Sequence, residues 1–173
     1  SPKPEFTGQS VWRYNFAKPA DLDCLRAYDG QIGIGLVPLS ETLMYMYVTT
    51  PEPENPWYET NGLAAAMRAK LAGAPPAIAA LAAEITVDEE VVYKPLETMM
   101  IAGDWHKGRV VLLGDAVHAT TPHLGQGAGM AIEDSIVLAE EIANADTPEA
   151  AFTAFRNRRF ERCKYIVDAS LAI

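Results

Sequence analysis

The stretch formed by residues 108–129 constrains the fold of this chain more than any other. Four apolar residues, 110–113, lie between turn-forming residues, which is typical of a short and fully buried strand. Gly114 and Asp115 end this strand, a loop with Pro122 follows, and a glycine-rich turn leads into an apolar-periodic helix. Elements in this order direct backbone N–H groups and the positive end of a helix dipole at a bound anion or electron-rich group.

The carboxylate of Asp115 lies at the carboxyl end of the predicted strand, where open α/β sheets bind ligands. It suits the hydroxyl groups of a sugar or a ribityl chain. The stretch resembles the second FAD-binding motif of the flavoprotein aromatic hydroxylases, the single-component monooxygenases similar to p-hydroxybenzoate and salicylate hydroxylases. The resemblance extends over about 35 residues with fixed spacing. It is carried by Gly114-Asp115-Ala116, His118, Pro122, Gly125-Gln126-Gly127 and Glu133-Asp134.

The resemblance implies that FAD is the cofactor, and it implies a role for each part of the stretch. Asp115 would hold the ribityl chain, and Pro122 would shape the wall beside the reactive edge of the flavin. Backbone N–H groups of residues 124–128 would stabilise the negative charge of the reduced ring, and glycines there would let the ring approach. The implied cofactor-binding residues are Gly114, Asp115, Pro122, Leu124, Gly125, Gln126, Gly127 and Ala128.

The chemistry that the resemblance implies is that of an oxidoreductase. NAD(P)H reduces FAD, and O2 then supplies one oxygen atom to an electron-rich aromatic or phenolic small molecule, with the protein orienting the cofactor. Epoxidases, halogenases and flavin reductases of isoprenoids share a similar flavin-loop pattern. Hydroxylases are favoured by Trp12-Arg13, Pro38-Leu39 and the strand that contains Tyr45, and no tryptophan has the context of the halogenase motif.

A metal site formed by Asp115, His118 and His123 is an alternative, because imidazole and carboxylate groups are common ligands. A fourth ligand or a partner for an activated water is not evident in the sequence. The flavin motif already accounts for the flanking residues. We therefore predict no metal, and we interpret His118 as a structural hydrogen-bonding residue.

The first part of the chain, residues 1–100, has the patterns of an antiparallel substrate-domain sheet with two short helices. Strands are predicted over 11–16, 31–37, 42–49 and 89–97, with a hairpin formed by the second and third. Helices are predicted over 62–72, with Asn61 as the cap, and over 75–85. Residues 101–173 add the strand, loop and helices of a partial FAD-binding domain, so the predicted fold class is α+β.

Two glycines on one face of the strand over 31–37 leave two interpretations open. They either mark a bulge or a kinked edge, or form a floor where a ligand approaches the backbone. Methionine can line a permissive pocket, but within a strand it is more often part of the core. The candidates for a substrate pocket, chosen by strand face, are Arg13, Gly33, Gly35, Met44, Tyr45 and Met46.

Two helices are predicted after the flavin stretch. The first spans residues 127–144, and the second starts at Pro148 with Thr147 as its cap. The predicted polar side of the first comprises Glu133, Asp134, Glu140 and Glu141. The arginines of the second are predicted to form a solvated or salt-bridged face: Arg156, Arg158, Arg159 and Arg162.

A nucleotide-binding βαβ unit starts with Gly-x-Gly-x-x-Gly between a strand and a helix, and this sequence contains no such motif. We therefore interpret the chain as a fragment of a flavin monooxygenase whose first nucleotide-binding unit lies upstream. Without flanking strands, the apolar edge at residues 110–113 invites association with another chain, so self-association is expected. An alternative is that the chain by itself binds no FAD and is catalytically inert.

Charge and composition exclude some classes of partner. The net charge of −9 and the scattered positive residues argue against nucleic acid. A run of about 18 apolar residues, as a membrane span requires, is absent. Cys24 and Cys163 lack metal or redox spacing, and two free thiols in a reducing cytoplasm are the preferred interpretation over a disulfide.

Overall fold

The computed structural model describes residues 2–173, which form two compact units. One unit consists of residues 8–96, and the other of residues 97–173 together with the start of the chain up to Thr7. An antiparallel sheet with helices makes up most of the first unit, and helices make up most of the second. The predicted α+β class is therefore confirmed. The assignment of the two parts to substrate binding and FAD binding stays a prediction.

Five strands form the main sheet, in the order β2-β3-β4-β1-β5. Their bounds are β1 Glu5–Ala17, β2 Arg26–Tyr28, β3 Gly33–Pro38, β4 Leu43–Pro51 and β5 Val92–Thr98. The predicted hairpin is confirmed, because β3 and β4 pair antiparallel. On its other side β4 pairs antiparallel with β1, which places β4 in the middle of the sheet.

Two short helices accompany the sheet, and both were expected from the sequence. Their bounds are α1 Leu63–Lys70 and α2 Pro76–Glu84. The predicted cap of α1 is wrong, because the N-cap residue is Gly62 rather than Asn61. The carboxylate of Asp88, in a short 3-10 helix, instead accepts hydrogen bonds of 2.8 Å from the N–H groups of Gly62 and Ala64. A contact between distant parts of the chain thus supplies the cap.

Alternation along β4 separates a fully buried face from a half-buried one. Met44, Met46 and Val48 are inaccessible to solvent and join a core with residues of β1, α1 and α2. Trp12 of β1 lies in the same core, and its indole N–H donates to Thr50 Oγ1 over 3.0 Å. This core fixes the register of β4, because a shift by one residue would turn the methionines toward the opposite face.

Gly33 and Gly35 leave space for side chains of the neighbouring strand. Gly35 pairs with Tyr47, and a Cβ at Gly35 would lie 2.1 Å from the Tyr47 ring. At Gly33 a Cβ would lie 2.6 Å from Thr49 Oγ1. The pairing register runs without interruption along β3, so these glycines do not form a bulge. The close approach to the backbone that the two glycines predicted is made by Tyr47 and Thr49 of the neighbouring strand.

The second unit contains two very short strands and three helices among the described residues. Their bounds are β6 His106–Lys107, β7 Val110–Val111, α3 Asp115–His118, α4 Gly127–Asn144 and α5 Pro148–Leu171, and a 3-10 helix spans Pro122–Leu124. Trp105, Met130 and Phe155 are fully buried in its core. The predicted cap of α5 is confirmed, because Thr147 Oγ1 accepts a hydrogen bond from the N–H of Ala150. Within residues 2–173, every helix is too short or too polar to cross a membrane.

The predicted buried strand over residues 110–113 forms only in part. β7 comprises Val110 and Val111, and among the described residues it pairs with β6 alone. Val110 is 66% exposed and Leu112 is 42% exposed, so the prediction of burial on both faces is wrong for this chain. The physical reason is that no second strand lies beside β7 within residues 2–173.

The close contact between Gly35 and Tyr47 predicts how a substitution at Gly35 changes the free energy of unfolding. Gly35→Ala should lower the free energy of unfolding by about 1–3 kcal/mol, since the new methyl group must displace a packed ring. In a Tyr47→Ala background the same substitution should cost much less, because the obstructing ring is gone. Urea unfolding of the parent, both single variants and the double variant measures this coupling. An equal cost in both backgrounds would contradict the contact.

Candidate functional site

The residues predicted to bind a cofactor lie in one continuous segment between β7 and the first turn of α4. Gly114 starts this segment with φ 58° and ψ −141°, a conformation that glycine adopts readily and other residues rarely. A Cβ at Gly114 would lie 3.2 Å from the Cβ of Ala131, so α4 approaches this turn closely. Asp115 follows as the first residue of α3.

The surface around Asp115 and the N-terminus of α4 is open. Asp115 is exposed, and its carboxylate has no ion pair or hydrogen bond within residues 2–173. A Cβ at Gly125 or Gly129 would meet no atom within 4 Å. No side chain caps α4, so the N–H groups of its first turn are available to a ligand. A free carboxylate and unobstructed N–H groups fit the ribityl hydroxyls and the electron-rich ring of FAD.

The loop between α3 and α4 is held by the end of α5. Thr121 Oγ1 donates to the carbonyl of Ser170 over 3.1 Å, and Ser170 Oγ donates to the carbonyl of Thr121 over 3.0 Å. His123 Nδ1 lies 2.8 Å from Thr121 Oγ1. These contacts fix the base of the loop and leave Pro122 exposed and Leu124 half-buried at its surface.

A buried carboxylate, that of Asp134 in α4, connects the Gly114 turn to α3 and α5. Its Oδ2 accepts a hydrogen bond of 2.8 Å from the N–H of Gly114 and lies 2.7 Å from Nε2 of His118. Its Oδ1 accepts a hydrogen bond of 2.7 Å from Nε of Arg159. All three side chains are buried. The interpretation of His118 as a structural hydrogen-bonding residue is therefore confirmed.

The charges in this cluster support one another. Burial raises the pKa of Asp134, but hydrogen bonds from His118, Gly114 and Arg159 lower it by more, and the carboxyl stays ionised. Burial likewise lowers the pKa of His118, but the contacts with Asp134 and Cys163 outweigh it and raise this pKa to about 9. At neutral pH one carboxylate therefore lies between two cations.

The sequence interpretation missed the positions of Asp134 and Arg159. The sequence predicts Asp134 on the polar side of α4. This prediction is wrong, because the side chain is fully buried. Arg159 is salt-bridged as predicted, but it is buried rather than on a surface. The spacing contained the signal, because Asp134 follows Met130 by one helical turn and Arg159 follows Phe155 in the same way. Each therefore falls on the apolar stripe of its helix.

The other ion pairs of α5 lie at the surface, as predicted. Arg162 makes two hydrogen bonds of 2.6 Å with the carboxylate of Glu133. The hydrogen bonds from Arg162, opposed by burial and assisted by Arg159, lower the pKa of Glu133 to about 2. Arg158 contacts Glu140 at 2.7 Å and Glu141 at 3.0 Å.

His118, Asp134 and Cys163 also form a cluster of metal-ligand types, with one ligand atom of each within 4.8 Å of the others. Both oxygens of the Asp134 carboxylate already accept hydrogen bonds. The guanidinium of Arg159 supplies the positive charge that a metal ion would bring. We interpret the cluster as an ion-pair network rather than a metal centre.

The alternative metal site of Asp115, His118 and His123 does not assemble among the described residues. The His118 ring is buried against Asp134, whereas Asp115 is exposed to solvent. The ring of His123 contacts Thr121 instead.

The residues predicted to line a substrate pocket divide between two faces of the sheet. Met44 and Met46 are inaccessible to solvent in the core. Arg13, Tyr45 and the two glycines of β3 lie on the opposite face, because side chains alternate along each strand. There the guanidinium carbon of Arg13 lies 5.8 Å from the centroid of the Tyr45 ring. A pocket role for this second group stays a prediction.

The turn at Gly114, the free carboxylate of Asp115 and the open start of α4 fit the cofactor site of a flavoprotein, and the role of each residue there stays a prediction. The family described as FAD binding domain matches residues 8–170. The chain therefore belongs to this family, and the resemblance stated from the sequence is confirmed. FAD is the cofactor of the family.

Individual relatives agree with this assignment. YetM of Bacillus subtilis (strain 168), whose name assigns it provisionally to the FAD-dependent monooxygenases, is 34% identical over 172 residues, covering 98% of this chain and 46% of YetM. The 6-hydroxynicotinate 3-monooxygenase of Bordetella bronchiseptica is 31% identical over 175 residues, with 94% and 45% covered. The crystal structure of Klebsiella pneumoniae HpxO with FAD and uric acid matches with a TM-score of 0.88 at 25% identity, over 99% of this chain and 45% of that one. The chain thus spans about half the length of these relatives.

The protonation of His118 predicts a pH-dependent stability. Its pKa is about 9 in the folded chain, above the ordinary value of 6.5, so protonation stabilises the fold. This stabilisation is complete below pH 6.5 and is lost as the pH rises through 9. We expect a loss of about 3 kcal/mol across this range, and we expect His118→Gln to remove most of the pH dependence. Urea unfolding followed by circular dichroism at each pH measures it, and parallel pH profiles for both proteins would contradict the assignment.

Proposed function

We propose that the protein containing this chain is an FAD-dependent monooxygenase that uses NAD(P)H and O2 to hydroxylate an aromatic or phenolic small molecule. The observation that carries the proposal is the open Gly114–Asp115 turn beside the uncapped start of α4, in a chain of the FAD binding domain family. The names of two relatives support the substrate class. One is a 6-hydroxynicotinate 3-monooxygenase, and the structure of HpxO contains uric acid.

In the proposed reaction, NAD(P)H, a proton, O2 and a substrate C–H bond give NAD(P)+, water and a substrate hydroxyl group. FAD, when bound, supplies the hydride-accepting and oxygen-transferring chemistry. The residues of this chain bind and orient it. The carboxylate of Asp115 would accept hydrogen bonds from the ribityl hydroxyls, and the N–H groups of residues 127–129 would offer partial positive charge to the pyrimidine ring. The N–H of Gly125, which the sequence prediction included, already donates to the carbonyl of Pro122 over 2.9 Å. Pro122 and Leu124 would form the wall beside the reactive edge of the flavin.

For the substrate we propose the sheet face that carries Arg13 and Tyr45. Gly33 and Gly35 lie on the same face, but Thr49 and Tyr47 of β4 already cover them. The guanidinium of Arg13 is exposed and lies against the ring of Tyr45. A cation beside an aromatic ring suits a flat, anionic ring, through charge and stacking together. Met44 and Met46 have no part in this proposal because they belong to the core.

A cytoplasmic location is part of the proposal. Cys24 and Cys163 are both free thiols, and Cys24 is exposed. Exposed free thiols are typical of proteins in reducing compartments. NAD(P)H is available in the same compartment.

A second candidate is that residues 1–173 by themselves bind no FAD. The sequence lacks the Gly-x-Gly-x-x-Gly turn that binds the pyrophosphate of a dinucleotide. A flavin absorbance spectrum of the purified chain, followed by titration with FAD, separates the two candidates. Tight FAD binding together with NAD(P)H oxidation by these residues alone would exclude the second.

The proposed contact of Asp115 predicts the effect of removing its carboxylate. In the full-length protein, Asp115→Ala should raise the dissociation constant for FAD about tenfold or more, since it removes charge-assisted hydrogen bonds. Substrate-stimulated NAD(P)H oxidation should fall with the fraction of FAD bound. Fluorescence titration of the apoprotein with FAD measures the first quantity, and absorbance of the nicotinamide measures the second.

A matched control is Asp146→Ala, which removes an exposed carboxylate at the far end of α4. Its dissociation constant for FAD should equal that of the parent. Phenolic acids and nitrogen heteroaromatic acids form the substrate panel. A flavin-loaded parent protein that no member of this panel stimulates would count against the proposed reaction, and equal FAD affinity in both variants would exclude the role of Asp115.

We further propose that residues 1–173 by themselves self-associate through the outer edge of β7. Among the described residues β7 pairs with β6 alone, and Val110 and Leu112 remain exposed. An apolar strand edge without a partner pairs readily with another chain. Val110 is the better target for a test, because it lies in the strand itself.

Val110→Lys should therefore weaken self-association about tenfold or more, since a charged side chain on a strand edge opposes pairing. The control is Ile142→Lys, which replaces a similarly exposed apolar residue on α4 and should leave association unchanged. Size-exclusion chromatography with light scattering over a range of concentrations gives the masses. A monomer at every concentration for the unaltered chain would exclude the proposal.

A further inference from the structure

One buried cluster joins the two segments to which the proposed function assigns FAD contacts. Asp134 lies on α4 about two turns after Gly127, where the helix starts. Its carboxylate binds the N–H of Gly114, the residue before Asp115. The same carboxylate is held by His118 from α3 and by Arg159 from α5.

We propose that Asp134, fixed by His118 and Arg159, is a positioning residue for FAD that sets the distance between the Gly114–Asp115 turn and the N-terminus of α4. This inference rests on the proposed function, because it concerns the same flavin site. Asp134 is fully buried and acts through the backbone of Gly114 rather than by touching the cofactor.

Because α4 is stiff, the hydrogen bond between Asp134 and Gly114 also affects the position of the first turn of the helix. A helix rises about 1.5 Å per residue, so Asp134 and Gly127 lie about 10 Å apart along the axis. Because the helix does not stretch, a bond between Gly114 and Asp134 also fixes Gly114 relative to the first turn of α4. One FAD molecule must contact Asp115 with its ribityl chain and the first turn with its ring, so an error of about 1 Å would weaken one contact or the other.

The nature of the cluster also favours positioning over simple stabilisation. Burying an ion pair gains little stability compared with apolar packing of the same volume. A carboxylate, however, binds a particular N–H in a particular direction. Gly114 needs such a bond, because its φ of 58° and ψ of −141° belong to no regular element and β7 has already ended. A Cβ at Gly114 would lie 3.2 Å from the Cβ of Ala131, which is about one turn before Asp134, so α4 leaves little room for a larger residue there.

The position of Arg159 explains how the carboxylate keeps one orientation. Arg159 Nε donates to Oδ1 of Asp134, its Nη2 donates to the carbonyl of Met130 over 3.3 Å, and its Nη1 lies 2.8 Å from the carboxylate of Glu133. The guanidinium thus has partners on three sides. It leaves Oδ2 of Asp134 for Gly114 and His118.

The test compares adjacent arginines of α5 in the full-length protein. Arg159→Gln removes the buried partner of Asp134, whereas Arg158→Gln removes an exposed partner of Glu140 and Glu141. We expect Arg159→Gln and Asp134→Asn each to raise the dissociation constant for FAD about tenfold or more, and Arg158→Gln to change it less than about twofold. The double variant of Asp134→Asn and Arg159→Gln should lose little more than the worse single one, because both substitutions break one network.

A second control separates positioning from loss of stability. Phe155→Leu in the core of the same unit lowers the melting temperature without touching the cluster, and its FAD affinity should stay within about threefold of the parent when measured well below melting. At saturating FAD, the visible circular dichroism of the bound flavin should change in Asp134→Asn and not in Phe155→Leu. If Asp134→Asn does not fold, Arg159→Lys replaces it, since it keeps the charge and loses the fork of donors.

The outcomes distinguish this inference from the proposed function. A parent protein that binds no FAD would overturn both. A parent that binds FAD, with Asp134 and Arg159 variants of equal affinity and an unchanged flavin spectrum, would overturn the positioning role alone. An FAD affinity that falls equally in Phe155→Leu would also overturn it, because loss of stability would then account for the effect.

Discussion

The second unit depends on the buried carboxylate of Asp134. Burying a carboxylate costs several kcal/mol of folding free energy unless hydrogen-bond donors of the protein replace the water that it loses. Here the donors come from two separate segments, the Gly114 turn with the helix α3 that it caps, and the helix with Arg159. If either segment moves away, the carboxylate loses donors and the position of the other becomes less favourable. Elements as short as β7 and α3, which are unstable by themselves, thus acquire defined places.

Glycine serves opposite purposes in the two units. At Gly35 the missing side chain makes room for the ring of Tyr47, so the space is filled by the chain itself. At Gly125 and Gly129 the missing side chains leave the start of α4 open, and nothing in residues 2–173 fills the space. A sequence presents these cases alike, because both are glycines beside apolar residues. Only the partner strand distinguishes a floor that is already covered from a surface left for a ligand.

The features predicted well from the sequence are those determined by neighbouring residues. The alternation along β4, the hairpin with β3, the length of α4 and the cap at Thr147 all follow from local patterns, and the structure contains each of them. The features predicted wrongly depend on residues far apart in the chain. Asp88 caps a helix that starts 25 residues earlier (88 − 63), and Asp134 is buried because Arg159 and His118 reach it. The exposure of Val110 likewise depends on which strands lie beside it, which no local pattern contains.

The cluster also changes what the motif means. Of the residues that carry the family resemblance, Asp115 and the glycines of the turn face the open surface, whereas His118 and Asp134 are buried beneath it. The fixed spacing of the stretch therefore describes both an open surface and the buried network that holds this surface in shape. A pattern with both parts is more specific than a glycine-rich turn alone, which is why it identified the family from the sequence. Among the described residues, the sheet face with Arg13 and Tyr45 has no comparable buried ion-pair network, because Arg13 is exposed and its guanidinium contacts the half-buried ring of Tyr45. Strand alternation therefore predicts which residues share this face, but it contains no signal for a ligand there.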